Sequence, residues 1–273
     1  MIYTTKAKII DHILLAPETW QLRLQCPEIA SSASPGQFVM ASVESSDEIP
    51  SPILKRALAV YSADNDSFSL LIRIAGDGTR KICRLAPGNH LNLVGPLGNG
   101  FNLERARGKY SIITAGGSGI ASVYLLARGL RKLGEDVCLV YGGRSASDLA
   151  GLSDFQALKI PIYTATEDGS SGFEGLVTGA LEHALADQGG KSLNMYACGP
   201  NPMMKAVSSL ASDRSIPCQI SVEIKMACGF GVCLGCAVKT TGGNRLACSH
   251  GPVFEASEFI WEDFHGKKGE AHE

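Results

Sequence analysis

The first hundred residues alternate on a period of two. Short runs of apolar and β-branched residues span Lys8 to Leu15, Trp20 to Leu24, Phe38 to Val43, Leu58 to Tyr61, Phe68 to Ile74 and His90 to Val94. Turn formers part them: Pro35-Gly36, Asp64-Asn65-Asp66 and Pro87-Gly88. Six short strands at this spacing predict a small antiparallel barrel. One helix is expected to interrupt it, from Gly78-Thr79 through Leu85.

From Tyr110 the period changes. Apolar strands at Tyr110 to Thr114, Val137 to Tyr141, Ile162 to Ala165 and Met195 to Cys198 alternate with helical stretches near 120–133, 148–158 and 176–186, and with one starting at Pro202. Strand-helix alternation of this kind predicts a doubly wound parallel sheet, whose ligand crevice lies outside the carboxyl ends of its strands. The fold class expected is therefore a β barrel plus α/β, with a small C-terminal domain after them. The divisions are drawn at residues 1–105, 106–218 and 219–273.

Composition adds limits. The 273 residues, 45% of them hydrophobic, are enough for a packed core in each of about two ordinary domains. A formal charge of −2 gives no electrostatic footprint for nucleic acid or an anionic membrane. Met1 to Lys8 lacks the charged-then-apolar layout of a signal segment, and no apolar run is long enough to span a bilayer. A soluble, cytoplasmic protein is expected. Five of the nine cysteines, Cys26, Cys83, Cys138, Cys198 and Cys218, are scattered without framework spacing, as in a reducing compartment.

The other four cysteines carry the most specific chemistry. Cys228-Gly-Phe-Gly-Val-Cys233-Leu-Gly-Cys236, followed after eleven residues by Cys248, has the plant-type ferredoxin spacing for a 2Fe-2S cluster. Three ligands on one tight loop require sharp turning, which Gly229, Gly231 and Gly235 permit, and glycines let backbone amides approach the sulfurs. Four cysteines also hold zinc, although zinc ligands usually arrive as two Cys-x2-Cys pairs or with histidines. A disulfide framework fits the spacing less well still.

Candidate phosphate contacts are weaker one by one. Ala115-Gly116-Gly117-Ser118-Gly119 closes the first α/β strand and opens a helix, yet lacks the third glycine of the dinucleotide fingerprint. Asp168-Gly169-Ser170 and Cys198-Gly199-Pro200 close two further strands, so all three loops should meet along one edge, where a nicotinamide nucleotide would lie. Cys198 reads either as a small buried residue or as part of that site's lining. In the barrel, Gly78-Thr79 reads as a plain turn and cap or as a phosphate contact. Arg56 and Arg73 stand in strand-like surroundings, where each faces solvent or an anion such as a pyrophosphate.

Barrel, nucleotide domain and cysteine loop in this order, with Pro35-Gly36-Gln37-Phe38, the Arg56 segment, Gly116 to Gly119 and Cys198-Gly199-Pro200, resemble the ferredoxin-NADP reductase superfamily. Over nearly the whole chain the match is closer to the electron-transfer subunits of class 1B, NAD-dependent dihydroorotate dehydrogenases. It rests on Arg73 to Thr79, Gly95-Pro-Leu-Gly-Asn-Gly100-Phe101, Asp168 to Phe173, Ala197 to Lys205, Met226 to Cys236, and Cys248 to Phe254. The resemblance implies FAD on the barrel, NAD on the α/β domain and a 2Fe-2S cluster on Cys228, Cys233, Cys236 and Cys248. Arg56, Ala57, Leu58 and Ala59 would line FAD, with Arg56 neutralising phosphate. Leu71, Ile72 and Arg73 would run beside the flavin, and Gly78 and Thr79 would bind its pyrophosphate. Gly117, Ser118, Gly119, Asp168, Cys198, Gly199 and Pro200 would hold the nicotinamide nucleotide.

One departure stands out: the family usually reads Arg-Pro-x-Ser where this chain has Arg56-Ala57-Leu58-Ala59. The lost hydroxyl removes a hydrogen bond of about 0.5–1.5 kcal/mol, so weaker FAD binding, or recruitment of Tyr61 or Ser62, is expected.

A nicotinamide moves hydride and a 2Fe-2S cluster moves single electrons, so the flavin is the converter between them. By resemblance the chain carries electrons from the FMN of a dihydroorotate dehydrogenase catalytic subunit to NAD+, in UMP biosynthesis. The complex would hold two copies of each subunit, with the cluster loop at the docking face and no substrate-oxidising site in this chain. Arg144, after the second α/β strand, reads as a 2′-phosphate ligand or as a solvated loop arginine; the family's use of NAD favours the latter. The alternatives are the same FAD and 2Fe-2S module serving a hydrogenase, a sulfide dehydrogenase or a ferredoxin-linked complex, and a non-redox module with a zinc staple.

Overall fold

The computed structural model describes residues 1–43, 53–262 and 264. The tail from Gly266 to Glu273, expected to be disordered, lies outside the described residues.

Six antiparallel strands close a barrel in the order β1-β2-β5-β4-β3-β6. They are β1 (Tyr3–Ala16), β2 (Thr19–Gln25), β3 (Phe38–Ser42), β4 (Arg56–Ala63), β5 (Ser67–Arg73) and β6 (His90–Leu97). Alternation decides what faces in: Ala7, Ile9, Leu22, Leu24, Val39, Ala41, Val60, Leu70, Ile72, Leu91 and Leu93 form one buried cluster. Two short helices add to it, α1 (Pro27–Ser32) through Ile29 and α2 (Asp77–Cys83) through Ile82. The second is the helix expected from Gly78. The first starts on Pro27, whose missing N–H costs nothing at that position.

The α/β sheet has the order β10-β9-β8-β7-β11-β12-β15. Its parallel strands are β7 (Tyr110–Gly116), β8 (Val137–Gly143), β9 (Ile162–Thr166), the two-residue β10 (Phe173–Glu174), β11 (Leu193–Cys198) and β12 (Cys218–Ser221). Helices α3 (Tyr124–Lys132) and α4 (Leu152–Ala157) pack on one face, through Leu126, Leu130 and Phe155. Helices α5 (Val177–Asp187) and α6 (Asn201–Asp213) pack on the other, through Leu181, Met204 and Val207. The helix expected from Ile120 begins instead as a 3-10 turn over Gly117–Ser122. Chain order reverses between β7 and β11, so a crevice opens there at the carboxyl ends.

After β12 the chain forms the cysteine loop and a two-stranded ribbon, β13 (Ala237–Thr240) and β14 (Gly243–Leu246). It then returns to the α/β sheet as β15 (Val253–Glu255), antiparallel to β12. The division drawn at residue 218 falls on the first residue of β12. Cys236, Val238, Cys248, Phe254 and Phe259 share one core with α5, α6 and the outward side chains Phe38, Met40 and Leu97 of the barrel. Among the described residues no helix is long and apolar enough to cross a membrane.

Candidate functional site

Antiparallel partners across β3 and β4 put Met40 opposite Ala57 and Phe38 opposite Ala59, each pair on one face. This outer face continues onto β5 through Leu71 and Arg73. Ile72 points the other way, into the barrel core, and Leu58 packs against that same core, so only their backbones border the face. The 3-10 turn after β7 lies against β4 and β5. The outer face of the barrel and the carboxyl ends of the α/β strands therefore stand against each other, as the two walls between which a cofactor cleft is expected.

At one end of the cleft Arg56 meets Gly78. A methyl group on Gly78 would fall on Arg56 Nε and within 2.6 Å of its terminal nitrogen, so the bare backbone there is what lets the guanidinium lie down. The Thr79 hydroxyl accepts from Ala75 N at 2.9 Å and donates to Gly76 O at 3.0 Å, the bonding of a local cap. Tyr61 turns its hydroxyl to the α/β domain. It is fully buried, stacked on Tyr124 at 4.7 Å, and donates to Asp154 Oδ2 at 2.7 Å across the junction with α4. Burial, reinforced by that carboxylate, raises its pKa.

On the α/β wall, the loop after β7 and the loop after β11 touch backbone to backbone. A Cβ on Gly119 would fall on the carbonyl of Cys198 and 2.7 Å from Gly199 N. Gly117 takes the left-handed conformation at φ 50°, which suits glycine. Cys198 is fully buried. Asp168 stands farther along the same edge, two strands from β7, where Ser170 bonds its Oδ1 through both backbone N (3.0 Å) and Oγ (2.5 Å). These bonds hold its carboxyl below the usual range.

The four cluster cysteines lie beside the barrel face. Gly229 seats the loop on it: at φ 86° it passes so close that a Cβ would fall on Met40 Cγ and 2.8 Å from its sulfur. Met40 is the cross-strand neighbour of Ala57, so the loop touches the same outer face one strand away from Ala57. Gly231 also turns left-handed, at φ 89°. Gly235 does not; the third left-handed position is Leu234, at φ 59°. On the far side, Asn99 after β6 holds the segment beyond Cys248, its N donating to Gly251 O at 2.6 Å and its Nδ2 to Ser249 O and His250 O at 3.1 Å.

The thiol of Cys228 feels that of Cys233, and the thiol of Cys248 feels that of Cys236 first and Cys228 after it. Among the described residues no three His, Cys, Asp or Glu side chains are grouped as a single metal ion requires. Four thiolates suit a centre of two irons, each taking two of them. Amide donors are aimed at these sulfurs, as thiolates bound to iron demand. Gly231 N reaches Cys248 Sγ at 3.1 Å. At Cys228, desolvation, which alone would raise the pKa, is outweighed by the N–H groups of Cys233, Phe230 and Val232 and by the Cys233 side chain, bringing it down to about 6. Desolvation and the neighbouring Cys236 push Cys248 up to about 12. Cys236 and Cys248 are buried; Cys233 is exposed among Phe230, Val232 and Leu234, which are 52, 73 and 63% exposed. The donor set fits a 2Fe-2S centre with one buried and one outward half.

Sequence reasoning did not find Met40, Leu97 or Asn99 as the seat of the cluster loop. The available signal was Phe38-Val-Met-Ala41, apolar on both faces, which marks a strand covered from both sides.

Comparisons with known proteins agree with this geometry. Residues 223–260 match the iron-sulfur cluster binding domain of dihydroorotate dehydrogenase B, and residues 113–209 match the oxidoreductase NAD-binding domain. A dihydroorotate dehydrogenase B (NAD(+)) electron transfer subunit from Desulforamulus reducens is 33% identical, over 94% of this chain and 98% of its own. The protein of the same name from Clostridium acetobutylicum is 36% identical, over 84 and 87%. Among solved structures, an NADH-dependent reduced ferredoxin-NADP oxidoreductase superposes with a TM-score of 0.83 at 26% identity, covering 96% of this chain and 92% of that one. A ferredoxin NADP+ reductase from Neisseria gonorrhoeae with bound FAD and NADP shares the fold, at a TM-score of 0.64 and 20% identity over 77 and 91% of the two chains. The chain belongs to the family of dihydroorotate dehydrogenase B (NAD(+)) electron transfer subunits.

Proposed function

We propose that this chain links an FMN-containing dihydroorotate dehydrogenase catalytic subunit to NAD+ in the synthesis of UMP, as an oxidoreductase component without a substrate-oxidising site of its own. One observation carries the reading: the seat of the cysteine loop on Met40, the barrel face of Ala57 and Ala59, and the nucleotide loops after β7 and β11 adjoin one another around one cleft. A bound flavin exchanges single electrons with an iron-sulfur cluster and hydride with a nicotinamide.

The division of labour is by segment. Residues 1–105 hold FAD: Arg56 and Gly78, with Thr79, take the pyrophosphate, while Ala57, Ala59, Leu71 and Arg73, with the backbones of Leu58 and Ile72, border the flavin. Residues 106–218 hold NAD: Gly117, Ser118 and Gly119 meet its phosphates, Cys198, Gly199 and Pro200 wall the reacting end, and Asp168 lies toward the adenosine. Residues 219–273 hold the cluster through Cys228, Cys233, Cys236 and Cys248. Phe230, Val232 and Leu234 around the exposed Cys233 supply an apolar rim on which the catalytic subunit docks. An assembly with two copies of each subunit belongs to the same proposal, as does the absence of nucleic-acid or membrane contacts. So does a cytoplasmic setting, which the five buried, unbridged thiols outside the cluster loop support.

The overall change balances as two electrons and two protons leaving dihydroorotate, with hydride taken by NAD+ and one proton released. The test is anaerobic purification of the native complex and absorbance at the NADH band after dihydroorotate is added. Activity in the complex, with only NADH-to-dye activity in the isolated chain, supports the proposal. A flavin-coloured complex that oxidises NADH but ignores dihydroorotate overturns the partner assignment.

The likeness to the NADH-dependent reduced ferredoxin-NADP oxidoreductase favours a second reading, the same module serving a ferredoxin-linked complex. Ferredoxin-dependent and dihydroorotate-independent NAD+ reduction would select it.

A further inference from the structure

We propose that Asp148 sets a preference for nucleotides without a 2′-phosphate, by holding the Arg144 guanidinium away from the ribose bound beside the loop after β7. The inference rests on the proposed reading that this chain binds a nicotinamide nucleotide there.

The position follows from the fold. β8 is the neighbour of β7, and the loop at its carboxyl end is where an α/β dinucleotide site places the group that reads the adenosine ribose: a carboxylate where the 2′-hydroxyl is free, an arginine where it is phosphorylated. Here that loop supplies both. Arg144 Nε lies 3.4 Å from Asp148 Oδ2. Asp148 Cβ sits over the end of β8, such that a Cβ on Gly143 would meet it at 3.2 Å. The buried Tyr141 hydroxyl stands among Gly117 O and Ala150 O at 3.3 Å and Asp148 O at 3.4 Å, with its one hydrogen to donate, so the backbone of Asp148 lies beside the loop after β7.

The loop is also fixed from outside. Asp168 N donates to Arg144 O at 3.1 Å and Ala146 N to Ser170 Oγ at 2.8 Å, fastening the ends of β8 and β9 to each other. Glu167 and Asp168 add two exposed carboxylates to this rim. A 2′-phosphate, with up to two negative charges, would meet Asp148, Glu167 and Asp168, while the nearest arginine is already engaged. Arg144 is 51% exposed and Asp148 22%, so their pairing contributes little to stability, and it can be broken without unfolding the loop.

The experiment uses the full chain and two probes, 5′-AMP and adenosine 2′,5′-bisphosphate, titrated by calorimetry, with KM for NADH and NADPH in dye reduction as a second readout. Asp148→Asn is expected to shift the affinity ratio at least about tenfold toward the bisphosphate, about 1.4 kcal/mol. Adding Arg144→Gln should take away most of that gain, leaving only the part due to the lost Asp148 charge, and Asp148→Asn alone should lower KM for NADPH relative to NADH. An unmoved ratio in Asp148→Asn, or a gain undiminished by loss of Arg144, overturns the inference while leaving the nucleotide site intact. A wild-type chain that binds neither probe and oxidises neither NADH nor NADPH removes the inference and the nucleotide reading together.

Discussion

Replacing Gly119 by alanine tests the cleft at its tightest point. The added Cβ falls on the Cys198 carbonyl and 2.7 Å from Gly199 N, against ordinary contacts that begin near 3.4 Å. Its obstacles are backbone atoms of a strand end, which cannot swing aside as a side chain can. The loops after β7 and β11 must therefore separate by about 1 Å. Overpacking of this kind costs about 1–3 kcal/mol, and each kcal/mol lowers the melting midpoint by about 2–4 °C in a chain of this size. Nucleotide handling should suffer more than stability, because a displacement of about 1 Å at a site that positions a substrate can cost about a hundredfold.

The assay is NADH-to-dye reduction by the flavin-loaded chain, alongside thermal melts, with two comparison variants. Gly116→Ala meets Met203 Sδ at 2.5 Å and Pro200 Cδ at 2.9 Å; the flexible methionine yields, so kcat/KM falls less. Gly117→Ala meets nothing within 4 Å but forces a side chain to φ 50°, about 1–2 kcal/mol of local strain. A Gly119→Ala protein as efficient with NADH as wild type, or one less impaired than Gly116→Ala, would refute the reasoning that these two loops form the nucleotide wall by direct contact.

Gly78→Ala should push Arg56 out of its seat and weaken FAD retention about tenfold or more, read as flavin absorbance after gel filtration; full retention would place the pyrophosphate elsewhere. Tyr61→Phe leaves the Asp154 carboxylate without its partner and should cost about 1–3 kcal/mol in thermal melts, with flavin content preserved because the hydroxyl serves the junction and not the flavin; loss of flavin would contradict that assignment. His12, stacked on Trp20 at 4.3 Å, has its pKa lowered from 6.5 by burial, against an opposing pull from Asp11. The fold therefore favours neutral His12, and that contribution is intact above pH 6.5 and lost as pH falls from there through the lower folded value. Stability should drop less between pH 7.5 and 5.5 in His12→Gln than in wild type, and equal slopes would remove His12 from the account.

Much of the fold is legible in the chain because period and burial coincide. All six barrel strands and four α/β strands lie where apolar alternation puts them, with ends displaced by a few residues. β1 extends five residues earlier than its apolar run, since Tyr3 to Ala7 gain partners on β6 that alternation cannot announce. The segments β12 and β15 escaped because strands of four and three residues carry too short an apolar run to announce themselves and are defined by their neighbours, β11 for the one and β12 for the other. The cysteines were legible because ligand spacing is a local property. Their seat was not, since Gly229 and Met40 are 189 positions apart in the sequence and meet only through the barrel's register. Gly235 illustrates a smaller limit: three glycines in a turning loop do not say which positions turn left-handed, and Leu234 takes one of them. Tyr61 looked free to serve a ligand until the fold brought Asp154 to it.

The return of the chain as β15 has a consequence for how the protein matures. β12 would be the outermost strand of the parallel sheet were Val253 to Glu255 not laid against it. Those three residues are tethered five positions after Cys248, so whatever loosens the cysteine loop also loosens the cover on that edge. An uncovered strand is a template for pairing with another chain. Filling the cysteine loop is therefore expected to protect this edge as well, and light scattering from iron-free chains that matches that from iron-loaded ones would refute the link.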